Sequence, residues 1–238
     1  MREARVADYL SPYCTPVRQP VIRGYSNVIC HFEGERNERF VVGAHHDRIG
    51  GGTGTADNWT GIVLLAALAE HLARETPQFS WTLVAFAEEE WGLKGSIRYV
   101  DHLEAPVRAM INIGTIGTDT VAIDRRSDDQ LACLAQSVAT ALGVEYRDTL
   151  LRETVSDWEP FQKADIPVLS LNSLSRMQIH KLHTRRDRLT LLREARMDDA
   201  WQVLVNLQQQ LDQPGKSRRS FLPRRQSPSH LRREAARP

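Results

Sequence analysis

Cysteine is scarce: Cys14, Cys30 and Cys133 are the only three in a chain of 238 residues. They are odd in number, widely spaced and form no CxxC, which argues against a thiolate metal site and predicts free thiols in a reducing compartment. Long apolar runs are missing as well, and none approaches the roughly 20 residues of a membrane helix. The segment MREARVADYLSPYC carries charge through its first turns and has no apolar centre. It does not read as a signal peptide, so the expectation is a cytoplasmic chain. No GxSxG elbow occurs, which removes the usual signal of a serine hydrolase.

What is present suits one α/β domain: 41% hydrophobic and 26% charged residues, enough for a sizeable core. The net charge of +1 hides an asymmetry. From Pro214 onward, eight Lys/Arg face one Glu, a net of +7, so the remainder carries −6. That tail is rich in Pro and Ser, poor in large apolar residues, and reads as a disordered, solvated terminus. Its only aromatic is Phe221, which gives no support for nucleic-acid binding. The organisation expected is a catalytic-type domain over 1–213 and a basic tail over 214–238.

Residues 2–12 read as a short helix. SNVICHFEG and RFVVGAH read as strands joined by the polar turn GERNE. Apolar residues recur on a helical period from about Asn58 to Arg74. FSWTLVAFA is too apolar to have a wet face and predicts a central strand. Helix GSIRYVDHL, strand VRAMINIG and a short strand TVAID follow. SDDQLACLAQSVATALG predicts a helix capped by Ser127 and ended by Gly143. A short helix SDWEPFQKA, strand IPVLSLN and a closing helix across LTLLREARMDDAWQVLVNLQQQL complete the domain. Strands alternating with helices predict a three-layer fold, a mixed and mostly parallel β-sheet covered by helices on both faces.

Polar residues cluster where those strands run out, the rim at which such sheets build their sites. His45 and Asp47 end FVVGAHHD, Asp57 lies in GTGTADNWTG, Glu89 and Glu90 end WTLVAFAEEEWGLKGS, and His183 lies in HKLHTRRD. Strand alternation turns His45 and Asp47 to one side and His46 away, so His46 reads as an exposed or packed histidine. A catalytic zinc takes three protein ligands of these types and leaves a position for water. A ligand histidine needs its second nitrogen held by a partner, and a neighbouring non-ligand carboxylate can act as general base. Three carboxylates at one rim repel each other strongly, and a divalent cation resolves that repulsion.

The stretches GAHHD, GTADNWTG, EEWGLKGS, SDWEPF and HTRRD, in that order from about Arg23 to Leu192, resemble the co-catalytic di-zinc aminopeptidase family, with its glutamate-carboxypeptidase-like and glutaminyl-cyclase-like branches. No one stretch is specific; five in order are. The resemblance implies a zinc-exopeptidase-like fold, peptide or amino-acid-derived substrates and metallo-aminopeptidase chemistry. It assigns His45 to one zinc with Asp47 orienting it, and makes Asp57 the bridge between two zincs, with a cis peptide to Asn58. It makes Glu89 the general base, Glu90 and His183 ligands of the other zinc, and Asp187 a structural neighbour. Glu88 is left as an exposed or rim residue. Asp157 matches a position at the substrate pocket, and Trp158 stands where a His is common. Trp59 and Trp91 flank the proposed ligands, as pocket walls or as packing.

One position departs from the family. Its strand motif reads like NLDMIG, whereas this chain has Asn112-Ile113-Gly114-Thr115-Ile116-Gly117. Gly114 cannot ligate, so one site keeps only His45 and Asp57, while Asp57, Glu90 and His183 remain a full set. The expectation is one firm zinc site, a doubtful second one and reduced activity; Asp119 is the nearest substitute ligand in sequence. Cobalt or manganese suits the same ligand types. Two alternatives stand beside the exopeptidase reading: a glutaminyl-cyclase-like mono-zinc aminoacyltransferase, and a non-catalytic binding or scaffold relative. A dinucleotide site at Gly52–Asp57 is disfavoured, because a carboxylate there repels a pyrophosphate.

Overall fold

The computed structural model describes residues 2–150 and 154–213, without the side chain of Arg23. The basic tail lies outside the described residues. Eight strands form one sheet: β1 Val17–Pro20, β2 Ser26–Phe32, β3 Arg36–His45, β4 Phe79–Phe86, β5 Val107–Ile113, β6 Val121–Asp124, β7 Tyr146–Thr149 and β8 Val168–Asn172. Their spatial order is β1-β2-β4-β3-β5-β8-β6-β7. The central run β4-β3-β5-β8 is parallel throughout, as is β6-β7. The pairs β1-β2, β2-β4 and β8-β6 are antiparallel.

Among the described residues the α-helices are α1 Arg2–Leu10, α2 Thr60–Leu72, α3 Lys94–Val100, α4 Asp129–Leu142, α5 Trp158–Lys163, α6 Arg176–Ile179 and α7 Glu194–Leu211. Alternation along β3 divides the core. Phe40, Val42 and Ala44 pack in the layer of α1, α2, α4 and α7, with Leu10, Leu65, Leu131 and Leu204. Val41 faces the other layer, against Tyr99 of α3 and Phe161 of α5. Every residue of β4 is buried, as a strand with ladders on both edges and helices on both faces requires. Four parallel strands thus bring their carboxyl ends to one rim, where β3 delivers His45, β4 the Glu turn, β5 Gly114 and β8 Asn172.

Several expectations needed correction. Cys14 and Cys30 are joined as a disulfide, with Cα atoms 5.9 Å apart; only Cys133 is free, and it is exposed. The two meet because β1, just after Cys14, folds back antiparallel onto β2, which carries Cys30. The argument from free thiols to a reducing compartment falls with this pairing. The cap of α4 is Asp128, whose carboxylate accepts from the Gln130 and Leu131 amides. Ser127 instead uses its hydroxyl to accept from the Ser170 amide at 3.0 Å. The closing helix starts at Glu194, after a separate short turn at Leu189–Leu191. Among the described residues no helix is long and apolar enough to cross a membrane.

Candidate metal centre and cavity

Three loops build the centre. The first leaves β3 after His45 and returns at Asp57, just before α2. Its chain runs through Gly50, Gly51, Gly52 and Gly54, and the peptide Asp57–Asn58 is cis, as the family resemblance implies. The second is the tight turn after β4. Glu88 and Leu93 adopt positive φ there, and the Glu89 and Glu90 amides each donate to the Asp47 carboxylate at 3.1 Å. The third carries His183, also at positive φ. It is tied to the first loop by Asp187, whose carboxylate accepts from the Ala56 amide at 2.7 Å.

These loops bring His45, Asp47, Asp57, Glu89, Glu90 and His183 together. Asp57 faces a different histidine with each oxygen: Oδ1 lies 3.1 Å from His45 Nε2 and Oδ2 lies 3.0 Å from His183 Nε2. His183 Nε2 is also 3.0 Å from Glu90 Oε1. One ring nitrogen carries at most one hydrogen, yet two carboxylate oxygens converge on this one. Glu90 Oε1 is buried and makes no hydrogen bond. Around a tetrahedral zinc, with bonds of about 2.0–2.1 Å, ligand atoms stand about 3.3 Å apart. The Asp57, Glu90 and His183 atoms lie within 4.8 Å of one another, so the donor set and its spacing fit a zinc ion. His45 with Glu89 and Glu90 forms a second such group. On its other nitrogen, His45 Nδ1 faces Asp47 Oδ1 at 3.3 Å.

The charges are strongly coupled. Burial works to raise the Asp57 pKa, but hydrogen bonds with His183 and His45 outweigh it and hold the group well below the usual carboxylate range. The hydrogen bond to Asp57 is the main cause that lifts His183 to about 9. Burial, and then the Asp57 charge, push Glu90 up to about 7. Burial opposes protonation of His45, yet Glu89, Asp47 and Asp57 together raise it well above the ordinary histidine value. Burial also raises Glu89, with the His45 charge acting against it.

A cavity of about 550 Å³ opens on this centre. His45, Asp57, Glu89, Glu90 and His183 line it, together with Trp158, Arg126 and Asn172. Gly114 is on its wall. A Cβ at Gly114 would meet only the Asn172 Cβ at 3.3 Å and the Leu171 carbonyl oxygen at 3.5 Å. A Cβ there therefore needs only a shift of a few tenths of an ångström at Asn172.

The structure separates the remaining candidates. Asp157 is fully buried and is not on the cavity wall, unlike its neighbour Trp158. Neither of its oxygens has a hydrogen-bond partner among the described residues. The nearby Ser96 hydroxyl donates to the Leu93 carbonyl instead. Burial, and then Glu89, push the Asp157 carboxyl well above the usual range. Asp119 is turned away to Arg147, 3.1 Å distant, and supplies no substitute for the missing carboxylate. Glu88 is 4% exposed rather than on the rim, and pairs with Lys94 at 3.6 Å. His46 is buried, with Nε2 3.1 Å from the Ser26 carbonyl oxygen. Trp59 packs under α1 beside Tyr9, and Trp91 is exposed. Sequence reasoning missed Arg126 and Asn172. Arg126 is anchored on Asp124 at 2.6 Å and stacks over Trp158. It comes from an ordinary charged stretch, DRRSDD, with no motif to mark it.

A mostly parallel sheet between helix layers, with imidazoles and carboxylates at its carboxyl rim, is the architecture of zinc exopeptidases. The chain belongs to Peptidase family M28, which it matches over residues 27–208. Leupeptin-inactivating enzyme 1 of Streptomyces exfoliatus is 32% identical over 161 residues, 63% of this chain and 36% of that protein. The structure resembles that of BSAP, a zinc aminopeptidase from Bacillus subtilis, with a TM-score of 0.72 at 20% identity, covering 83% of this chain and 52% of that one. A glutaminyl cyclase from Porphyromonas gingivalis also gives 0.72, at 18% identity, covering 87% and 88%. The chain thus spans about a third of the curated relative and about half of the aminopeptidase structure.

Proposed function

We propose that this chain is a zinc-dependent exopeptidase of the aminopeptidase type that works with one firmly held metal. Asp57, Glu90 and His183 would hold the zinc, and Glu89 would carry the proton. The observation that carries this reading is the convergence of Asp57 Oδ2 and Glu90 Oε1 on His183 Nε2, each at 3.0 Å. Zinc at these atoms would supply a Lewis acid and lower the pKa of a water molecule. Glu89 lies on the cavity wall beside this set with a raised pKa. A carboxyl so placed takes a proton at neutral pH and returns it to a leaving amine. Asp47 holds the turn that presents Glu89 and, facing His45 Nδ1, orients that ring. Asp157, shut off from the cavity, would act on Glu89 rather than on substrate. Trp158 and Arg126 would bound the substrate side chain.

Gly114 leaves the His45 side short of a carboxylate, which supports one zinc and an activity below that of a full di-zinc enzyme. The near-complete overlap with a glutaminyl cyclase favours a second reading, mono-zinc cyclisation of N-terminal Gln. Peptides with free N-termini, including Gln-initiated ones, separate the two by product. Release of the first amino acid supports the exopeptidase. Loss of ammonia with the peptide bond intact supports the cyclase. Glu89→Gln should lower turnover by about 10²–10⁴-fold with zinc content unchanged. Undiminished turnover in that variant would remove Glu89 from the mechanism.

A further inference from the structure

The loop that carries two of the centre's residues at its ends is fixed from within by Arg48, which donates to the Gly52 carbonyl at 2.8 Å, and by the Thr53 and Thr55 hydroxyls, which meet at 2.6 Å; the rest of its bracing comes from outside. Between His45 and Asp57 it contains four glycines, each free to sample conformations closed to other residues. On one side it is braced by the His183 segment: the Gly51 amide donates to the His183 carbonyl at 3.3 Å and the Thr53 amide to the Asp187 carbonyl at 3.2 Å. On the other side stands a single side chain from α1. The Arg2 guanidinium donates to four backbone carbonyls, those of His46 at 3.2 Å, Asp47 at 3.1 Å, Thr53 at 2.6 Å and Gly54 at 2.8 Å. Two of these follow His45 directly and two precede Asp57 by three or four residues. One planar cation therefore pins the exit of the loop to its return.

The surroundings are shaped for that cation. Gly54 adopts φ +62°, and a Cβ there would stand 2.7 Å from Arg2 Nη2. The Trp59 ring lies under the guanidinium, 5.1 Å from its carbon to the ring centroid. Burial, and then the charge of Arg48, lower the Arg2 pKa from the ordinary arginine value, with Asp187, Asp47 and Asp57 acting against them. A guanidinium presents five donors in a rigid fork, whereas an ammonium offers three from a point. Four carbonyls arrayed around one plane call for the fork.

We propose that Arg2 is a positioning residue for the metal centre, fixing the separation of His45 and Asp57 and thereby zinc affinity, without touching the metal. This rests on the zinc reading above. The test uses the full chain, with zinc alone as ligand and a chromophoric chelator as competitor. Arg2→Ala should weaken zinc binding by about 10–100-fold, the range found when groups that orient ligands are removed. Millimolar guanidinium should restore part of the loss. Arg2→Lys keeps the charge and the fold but not the fork, and should also bind zinc more weakly than wild type. Leu131→Ala, which loosens α4 and leaves α1 and the loop untouched, should lower Tm yet leave zinc affinity unchanged. Wild-type affinity in both Arg2 variants, or an equal loss in Leu131→Ala, would overturn the proposal. A wild-type chain that binds no zinc would overturn the zinc reading and this inference together. Zinc bound equally by wild type and the Arg2 variants would overturn this inference alone.

Discussion

At the scale of residues, the proposed zinc site sets protons and a cation in competition for the same atoms. His183, lifted to about 9, keeps its proton at pH 7, and Glu90, pushed up to about 7, is close to half protonated. Ligation needs both in their deprotonated forms. Zinc uptake at pH 7 should therefore release protons, and apparent affinity should rise as pH increases from about 7 to 9. Calorimetric titration in buffers of differing ionisation enthalpy reads this directly; proton-neutral binding would contradict it. The meeting of these residues was legible in sequence, because imidazoles and carboxylates at the ends of apolar strands have few other uses. Glu88 was not: three consecutive glutamates look alike until positive φ at the first turns it inward to Lys94. The seclusion of Asp157 was hidden too, since the sequence neighbour that does reach the cavity, Trp158, belongs to the same motif.

At the scale of elements, the central strands announced themselves by continuous apolar runs, and the rim followed from their alternation with helices. The edge strands did not. Val17–Pro20 and Tyr146–Thr149 are short, mostly polar and half wet, and they exist as strands only because a neighbour offers its ladder. Helix starts were legible to within a residue for α1, α3 and α4, whereas α2 and α5 begin two residues later than read, α7 begins at Glu194 instead of Leu189, and the short α6 carried no signal. For α4, Ser127 and Asp128 are both good caps by type, and only the structure shows that Ser127 is spent on Ser170 while Asp128 caps. Asp128→Ala should cost about 1 kcal/mol of stability, measured as a lower urea midpoint with an unchanged m-value. An unchanged midpoint would mean that the cap contributes nothing.

At the scale of the whole molecule, pairings between distant segments decide what local reading cannot. The Cys14–Cys30 bridge fastens the chain just after α1 to β2, and closes a loop of 16 residues. For a loop of that length, chain entropy gives about 3 kcal/mol, so Cys14→Ser should lose stability of that order and wild type should respond to reductant. Equal unfolding midpoints with and without reductant would show that the bridge does not form in solution. The same long-range logic brings four scattered motifs to one rim and puts Gly114 on the cavity wall beside them, where the family motif carries a carboxylate and this chain has none.

The central claim is that Asp57, Glu90 and His183 hold one zinc. Its most direct test is metal stoichiometry, by elemental mass spectrometry on the full chain equilibrated with zinc and freed of excess. One zinc per chain is expected, rising toward two in Gly114→Asp. A folded wild-type chain that retains no zinc would contradict it.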